Sequence, residues 1–187
     1  TIVGGLAGDA LTDADYNVAM GYLSLSADTL GSQSVAIGTN TLRNQNFTTA
    51  TNAYNTAVGM SAGFAVTTGI QNTLLGGLAG DALTDADQNV AFGVTALGAD
   101  TLGSKSTAIG TNALADQNFT TATDTYNTAV GYNAGAATTT GVQNTLIGAL
   151  AGDALTTGYN NVAMGVEALT TDTQGAQNVA IGKSALQ

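Results

Sequence analysis

The stretch N-V-A-M-G at residues 17 to 21 decides the reading of this chain, because it does not stand alone. It returns as S-V-A-I-G at 34 to 38, N-T-A-V-G at 55 to 59, N-T-L-L-G at 72 to 76, N-V-A-F-G at 89 to 93 and S-T-A-I-G at 106 to 110. It continues as N-T-A-V-G at 127 to 131, N-T-L-I-G at 144 to 148, N-V-A-M-G at 161 to 165 and N-V-A-I-G at 178 to 182, and T-I-V-G at 1 to 4 is a shortened copy. The closing glycines Gly21, Gly38, Gly59, Gly76, Gly93, Gly110, Gly131, Gly148, Gly165 and Gly182 are read as structural turn positions. They recur every 17 residues, except for two steps of 21 that end at Gly59 and Gly131. Those two lie 72 residues apart, so the chain is built from four-unit blocks, and G-G-L-A-G-D-A-L-T-D-A-D at 4 to 15 returns unchanged at 76 to 87. A fixed short period of this kind is the signature of a solenoid, in which each unit buries its apolar face only by stacking on the next.

The phrase reads as a strand. Gly recurs too often for helix, and Thr, Val and Asn are weak helix formers. Alternation puts Val or Thr and the large Ile, Val, Met, Leu or Phe on one face, with Ala and Gly on the other. The small column comprises Ala19, Ala36, Ala57, Ala91, Ala108, Ala129, Ala163 and Ala180, and Leu74 and Leu146 break it at matching places in the block. Neither face carries charge, so both are expected to be covered, one by the interior of the coil and the other by something else. Alternation alone does not assign the faces. Each coil is expected to hold two short strands and two turns around a thin core, which favours packing against other copies of the chain. Eight units carry Thr eight places after the phrase glycine, at Thr12, Thr29, Thr67, Thr84, Thr101, Thr139, Thr156 and Thr173, read as turn residues making local side-chain to backbone bonds.

Composition narrows function. With no Cys and no His in 187 residues, a zinc site of the usual kind, a disulfide framework and Ser-His or Cys-His catalysis are excluded. Thirteen acidic residues against 3 basic give a net charge of −10, which repels a nucleic-acid backbone or an anionic membrane surface. No apolar run approaches the length of a membrane span, so no direct membrane insertion is expected of this segment. The chain starts inside one phrase and stops just after another, and is read as a single repeat segment, residues 1–187, of a longer polypeptide.

The repeated S/N-V-A-I-G phrase with its trailing alanine resembles the head repeats of YadA-like trimeric autotransporter adhesins. The N-T-A-V-G and T-T-G-x-x-N strings are similar to repeats of bacteriophage tail fibres and other bacterial surface fibres. The resemblance covers essentially the whole chain. It implies an all-β fold, a left-handed parallel β-roll or β-solenoid assembled as a homotrimer, located outside the cell, on a cell surface or a virion. The function that follows is a structural head or shaft segment of an extracellular fibre, not an enzyme, with contact to surface glycans through inserted loops. A tail-fibre receptor-binding shaft is the alternative from the same resemblance, and a monomeric ice-binding solenoid is a third reading, motivated by the Thr column.

Three sets of residues are candidates for chemistry. The inserted turns carry Asn46, Phe47, Asn118 and Phe119, followed by Tyr54 and Tyr126; an aromatic among Asn and Thr on a rigid scaffold suits stacking on sugar rings, while the simpler reading folds Phe47 and Phe119 back as plugs. The carboxylates Asp9, Asp13 and Asp15, repeated as Asp81, Asp85 and Asp87, are candidate calcium ligands, calcium being the one cofactor considered; the rival role is that of solvated turn residues. A glycosidase pair from the same carboxylates is disfavoured, since duplicated turns do not build one cleft with two different pKa values.

Overall fold

The computed structural model describes all 187 residues and contains no helix. Its strands are β1 (Ile2–Val3), β2 (Val18–Met20), β3 (Gly31–Ser32), β4 (Val35–Ile37), β5 (Thr51–Asn52), β6 (Thr56–Val58), β7 (Thr73–Leu75) and β8 (Val90–Phe92). They continue as β9 (Gly103–Ser104), β10 (Thr107–Ile109), β11 (Thr123–Asp124), β12 (Thr128–Val130), β13 (Thr145–Ile147), β14 (Val162–Met164) and β15 (Val179–Ile181). Every copy of the phrase is one rung of a single 11-stranded parallel sheet, paired in register so that Ala19 lies on Ala36, Ala36 on Ala57 and Leu74 on Ala91. The chain is a β-solenoid of 17-residue coils. Each ordinary coil holds one three-residue strand, not two; a second strand pair forms only at the inserted turns, as β3 with β5 and β9 with β11. Elsewhere the coil closes through turns whose backbone N–H groups donate to the coil above, as Thr67 does to the Thr84 carbonyl at 2.9 Å.

The alanine face is the interior. Ala19, Ala36, Ala57, Leu74, Ala91, Ala108, Ala129, Leu146, Ala163 and Ala180 are all buried in one continuous core. The phrase glycine closes the strand with a positive φ, and the coils are stacked so tightly there that a Cβ on Gly76 would lie 2.5 Å from the Gly93 carbonyl oxygen. No side chain fits, which is why this is the one invariant position of the repeat.

A second rule governs the core. The position four places after the phrase glycine is Gly at 8, 63, 80, 135 and 152, and Leu at 25, 42, 97, 114, 169 and 186. Where it is Leu, the position seven places after is polar, as at Asp28, Gln45, Asp100, Gln117 and Asp172; where it is Gly, that position is Leu11, Val66, Leu83, Thr138 or Leu155. Each coil thus takes a large apolar side chain from at most one of these two corners. Leu74 fits because it lies between two of the glycines: a Cβ on Gly63 would meet its Cδ1 at 2.7 Å and one on Gly80 its Cδ2 at 2.9 Å. Leu146 has the same relation to Gly135 and Gly152. At interior packing density a second large side chain fits only at the long coils, where Gln45 and Gln117 are buried opposite Leu42 and Leu114.

Along the inner edge runs an asparagine ladder. Asn55 Oδ1 accepts from the Asn72 backbone N–H and Asn72 Oδ1 from that of Asn89, each at 2.9 Å, while each Nδ2 donates to a carbonyl 14 residues on, Gly69 and Ala86. Buried amide groups are thereby satisfied coil by coil.

Candidate functional site

The two long coils interrupt the ladder, since Ser34 and Ser106 stand where the others have Asn. The gap is closed from the opposite corner. Gln45 Nε2 donates to Ser34 Oγ at 3.0 Å and to Asp28 Oδ2 at 2.6 Å, and Gln45 Oε1 accepts from Asn55 Nδ2 at 2.9 Å. Asp28 Oδ1 also accepts the backbone N–H of Gly31 at 3.0 Å and of Phe47 at 3.1 Å. The second block repeats this: Gln117 Nε2 donates to Asp100 Oδ2 at 2.5 Å and to Ser106 Oγ at 2.9 Å, and Gln117 Oε1 accepts from Asn127 Nδ2 at 2.8 Å. Burial pushes the Asp100 carboxyl above its ordinary range, against the opposing pull of the Gln117, Phe119 and Gly103 donors. No sequence motif flagged Asp28, Gln45, Asp100 and Gln117 as buried groups, although their pairing with Leu four places after the phrase glycine is a usable signal.

The inserted turns cover these networks. Phe47 and Phe119 retain only 5% and 7% of their surface, so the rings are packing elements and not open stacking platforms, which corrects their placement among the ligand-binding candidates. Their backbone N–H groups hold the buried aspartates, and a ring folded over a low-dielectric network excludes water from it. The turn tips Thr48, Thr49 and Ala50 are exposed. Asn46 and Asn118 are also exposed, and they occupy the Thr position of the long coils: their Oδ1 atoms accept from Thr29 and Thr101 at 3.2 Å. Tyr54 and Tyr126 remain open to solvent. Tyr126 stands beside the one ion pair, Lys105 to Asp124 at 2.5 Å, with the ammonium 5.4 Å from its ring centroid and its hydroxyl 3.3 Å from Asp124 Oδ2. This pairing raises the Lys105 pKa and lowers that of Asp124, both on the solvent side of the chain. In the first block the same places hold Gln33, Asn52 and Tyr54, so the inserted turns differ in charge but not in their aromatic.

The six carboxylates considered for calcium do not converge: no group of three or more acidic residues is placed to hold one ion. Each serves a separate corner. Asp85 accepts from the Thr68 hydroxyl at 2.7 Å, Asp87 from the Ile70 backbone at 2.8 Å, and the Asp15 backbone N–H donates to Ser32 Oγ at 2.9 Å. Asp9 and Asp13 are exposed, and burial raises the pKa of Asp81.

The Thr column is part of the scaffold. Thr12 Oγ1 donates to the Thr29 carbonyl at 3.0 Å, Thr84 to Thr101 at 3.0 Å and Thr156 to Thr173 at 2.7 Å, so the bonds run between coils, 17 residues on, and are not local turns. From Thr12 to Thr156 every such hydroxyl proton is committed to the next coil.

The outer face of the sheet is the remaining feature. Val18, Val35, Thr56, Thr73, Val90, Thr107, Thr128, Thr145 and Val162 are half-buried in one column, and the neighbouring column runs from Met20 through Ile37, Val58, Leu75, Phe92 and Ile109 to Ile181. Phe92 keeps 56% of its surface, and the face carries no charge over its whole length. No helix is long and apolar enough to cross a membrane. Comparison with protein-family models, with curated proteins and with solved structures returns no match.

Proposed function

We propose that this chain is a structural segment of a homotrimeric extracellular fibre, in which the uncharged outer face of the 11-stranded sheet packs against two further copies. The observation that carries the reading is that face itself. An uncharged face that presents a continuous column of large apolar side chains from Met20 to Ile181 marks an association site, and its occupant has to match a straight, periodic ridge. A parallel copy of the same chain has the same rise per coil, so every rung meets an equivalent rung. Stacked at about 4.8 Å per coil, the segment is a rod on the order of 50 Å long, stiffened by ladders that bear load along its axis. The acidic surface outside that face keeps such rods from adhering side by side. Adhesive contact is a second layer, carried by the exposed Tyr54 and Tyr126 beside the inserted turns. The committed Thr hydroxyls give no support to the ice-binding alternative, which needs a free, regular donor and acceptor array.

Light scattering on the purified segment at micromolar concentration tests this reading. The expected mass is that of three chains, 18.4 kDa each, and Ile37→Glu with Ile109→Glu is expected to give one-chain mass. A well-folded native segment of one-chain mass overturns it.

A further inference from the structure

The residue two places before each strand forms a column of its own. It reads Tyr16, Gln33, Tyr54, Gln71, Gln88, Lys105, Tyr126, Gln143, Asn160 and Gln177, one side chain per coil. All ten adopt a left-handed backbone, with φ from 51° at Tyr126 to 63° at Gln33 and Lys105. That conformation favours Gly or Asn, yet only Asn160 is of either type. Burial does not account for the choice: Tyr16 keeps 83% of its surface, and Tyr54, Gln71, Gln88, Tyr126, Gln143 and Gln177 are exposed. Two other columns are left-handed as well: two places after the phrase glycine, leucines alternate with Asn, Ser, Thr and Glu, and four places after it the non-glycine residues are all Leu. Here the set is restricted to side chains that combine reach with hydrogen bonding. Strained positions held by one chemical class on an open surface point to function.

We propose that this column is a binding ribbon for a neutral, extended polysaccharide, with sugar rings stacked on Tyr16, Tyr54 and Tyr126 and hydroxyls bonded to the intervening glutamine amides. The rise of about 4.8 Å per coil is slightly shorter than the advance of one ring in an extended β-1,4-linked hexose chain, so short runs of sugars stay in step with successive coils. Gln71 and Gln88 already lie in register, the amide of one donating to the other at 2.9 Å. The other classes of ligand fit less well. A polyanion meets a chain of net charge −10 with one lysine on the ribbon, itself paired with Asp124. An added peptide strand finds the column's N–H groups spent, as in Gln71 to the Ala53 carbonyl at 2.7 Å. A lipid finds no aliphatic residue in it. Weak contacts repeated at ten coils sum along one chain, which suits a flat site without a pocket.

This extends the adhesive layer of the reading above and moves it from the inserted turns to the coil column; binding and chain mass fail independently. Affinity electrophoresis through gels containing soluble mixed-linkage β-glucan, amylose or hyaluronan tests it on the native segment. Retardation by β-glucan alone is expected, with Tyr16→Ala/Tyr54→Ala/Tyr126→Ala weakening binding at least tenfold and Gln71→Ala/Gln88→Ala several-fold. Light-scattering mass and thermal midpoint are read on the same samples. No retardation by β-glucan, stronger retardation by hyaluronan or amylose, or unchanged binding in the tyrosine variant overturns the proposal. So does a fall in mass in that variant, which would make the ribbon the rim of a chain contact. If the tyrosine variant does not fold, the glutamine pair decides by the same criteria.

Discussion

At the scale of single residues, the most informative position is the one seven places after the phrase glycine, because in the inner coils the same corner fully buries Leu, Val, Thr, Asp or Gln. Asp and Gln are tolerated there because each is paired: Asp28 receives three donors, and Gln45 uses both ends of its amide. Thr138 is the exception. It is fully buried and its Oγ1 has no partner, while the first block places Val66 at the equivalent position. An unpaired buried hydroxyl costs about 1–3 kcal/mol. Thr138→Val is therefore expected to raise stability by about 1 kcal/mol, measured as a higher urea midpoint with an unchanged slope; a lower midpoint would mean that the hydroxyl is satisfied.

At the scale of the coil, the alternation of Gly and Leu makes neighbouring coils interdependent. A leucine at position 80 would place its Cβ 2.7 Å from Leu83 Cδ1 and 2.9 Å from Leu74 Cδ2, although its backbone, at φ +55°, already matches that of Leu97 at +52°. The conflict is one of volume and not of dihedral angle. Gly80→Leu alone is expected to destabilise by about 1–3 kcal/mol through overpacking. Combined with Leu74→Ala it should regain at least about 1 kcal/mol relative to additivity, read from a double-mutant cycle in urea. Additive effects would show that the two corners do not share space. The same logic explains Leu74 and Leu146, which stood out in the sequence as departures from an alanine column and are instead the fillers of paired glycine corners.

At the scale of the whole molecule, charge is unevenly distributed: the interior networks hold carboxylates and the sheet's outer face holds none. Asp81, Asp100 and Asp153 all have carboxyl pKa values raised, in each case first by burial. Such groups bind protons in the folded chain at a pH where the unfolded chain has released them. Their contribution to stability therefore grows as pH falls through the raised values, down to the ordinary carboxylate range near about 4. Asp124 has the opposite sign, since Lys105 lowers its pKa, but its pairing is lost only at pH below that ordinary range. Protonation also reduces the self-repulsion of a chain at −10. The urea midpoint is expected to rise as pH falls from neutral toward the ordinary carboxylate range of about 4; a fall over that interval would show that the carboxylates are stabilised in their charged form.

The period, the parallel stacking and the turn glycines were legible in the sequence, because a repeat of 17 residues admits few ways to satisfy its backbone and a glycine that recurs without exception marks a place where no Cβ fits. Which strand face turns inward was not legible: alanine and the large aliphatic residue alternate with the same period, and only the closed coil, whose narrow core is already filled by the side chains at its corners, puts alanine inside. The burial of Asp28 and Asp100 likewise emerged only in three dimensions, whereas folding Phe47 and Phe119 back as plugs was one of the two readings the sequence offered. The Gln45 and Gln117 amides that meet the two aspartates lie 17 residues away on the next coil, and a polar side chain reads as solvated until the donor that meets it is placed.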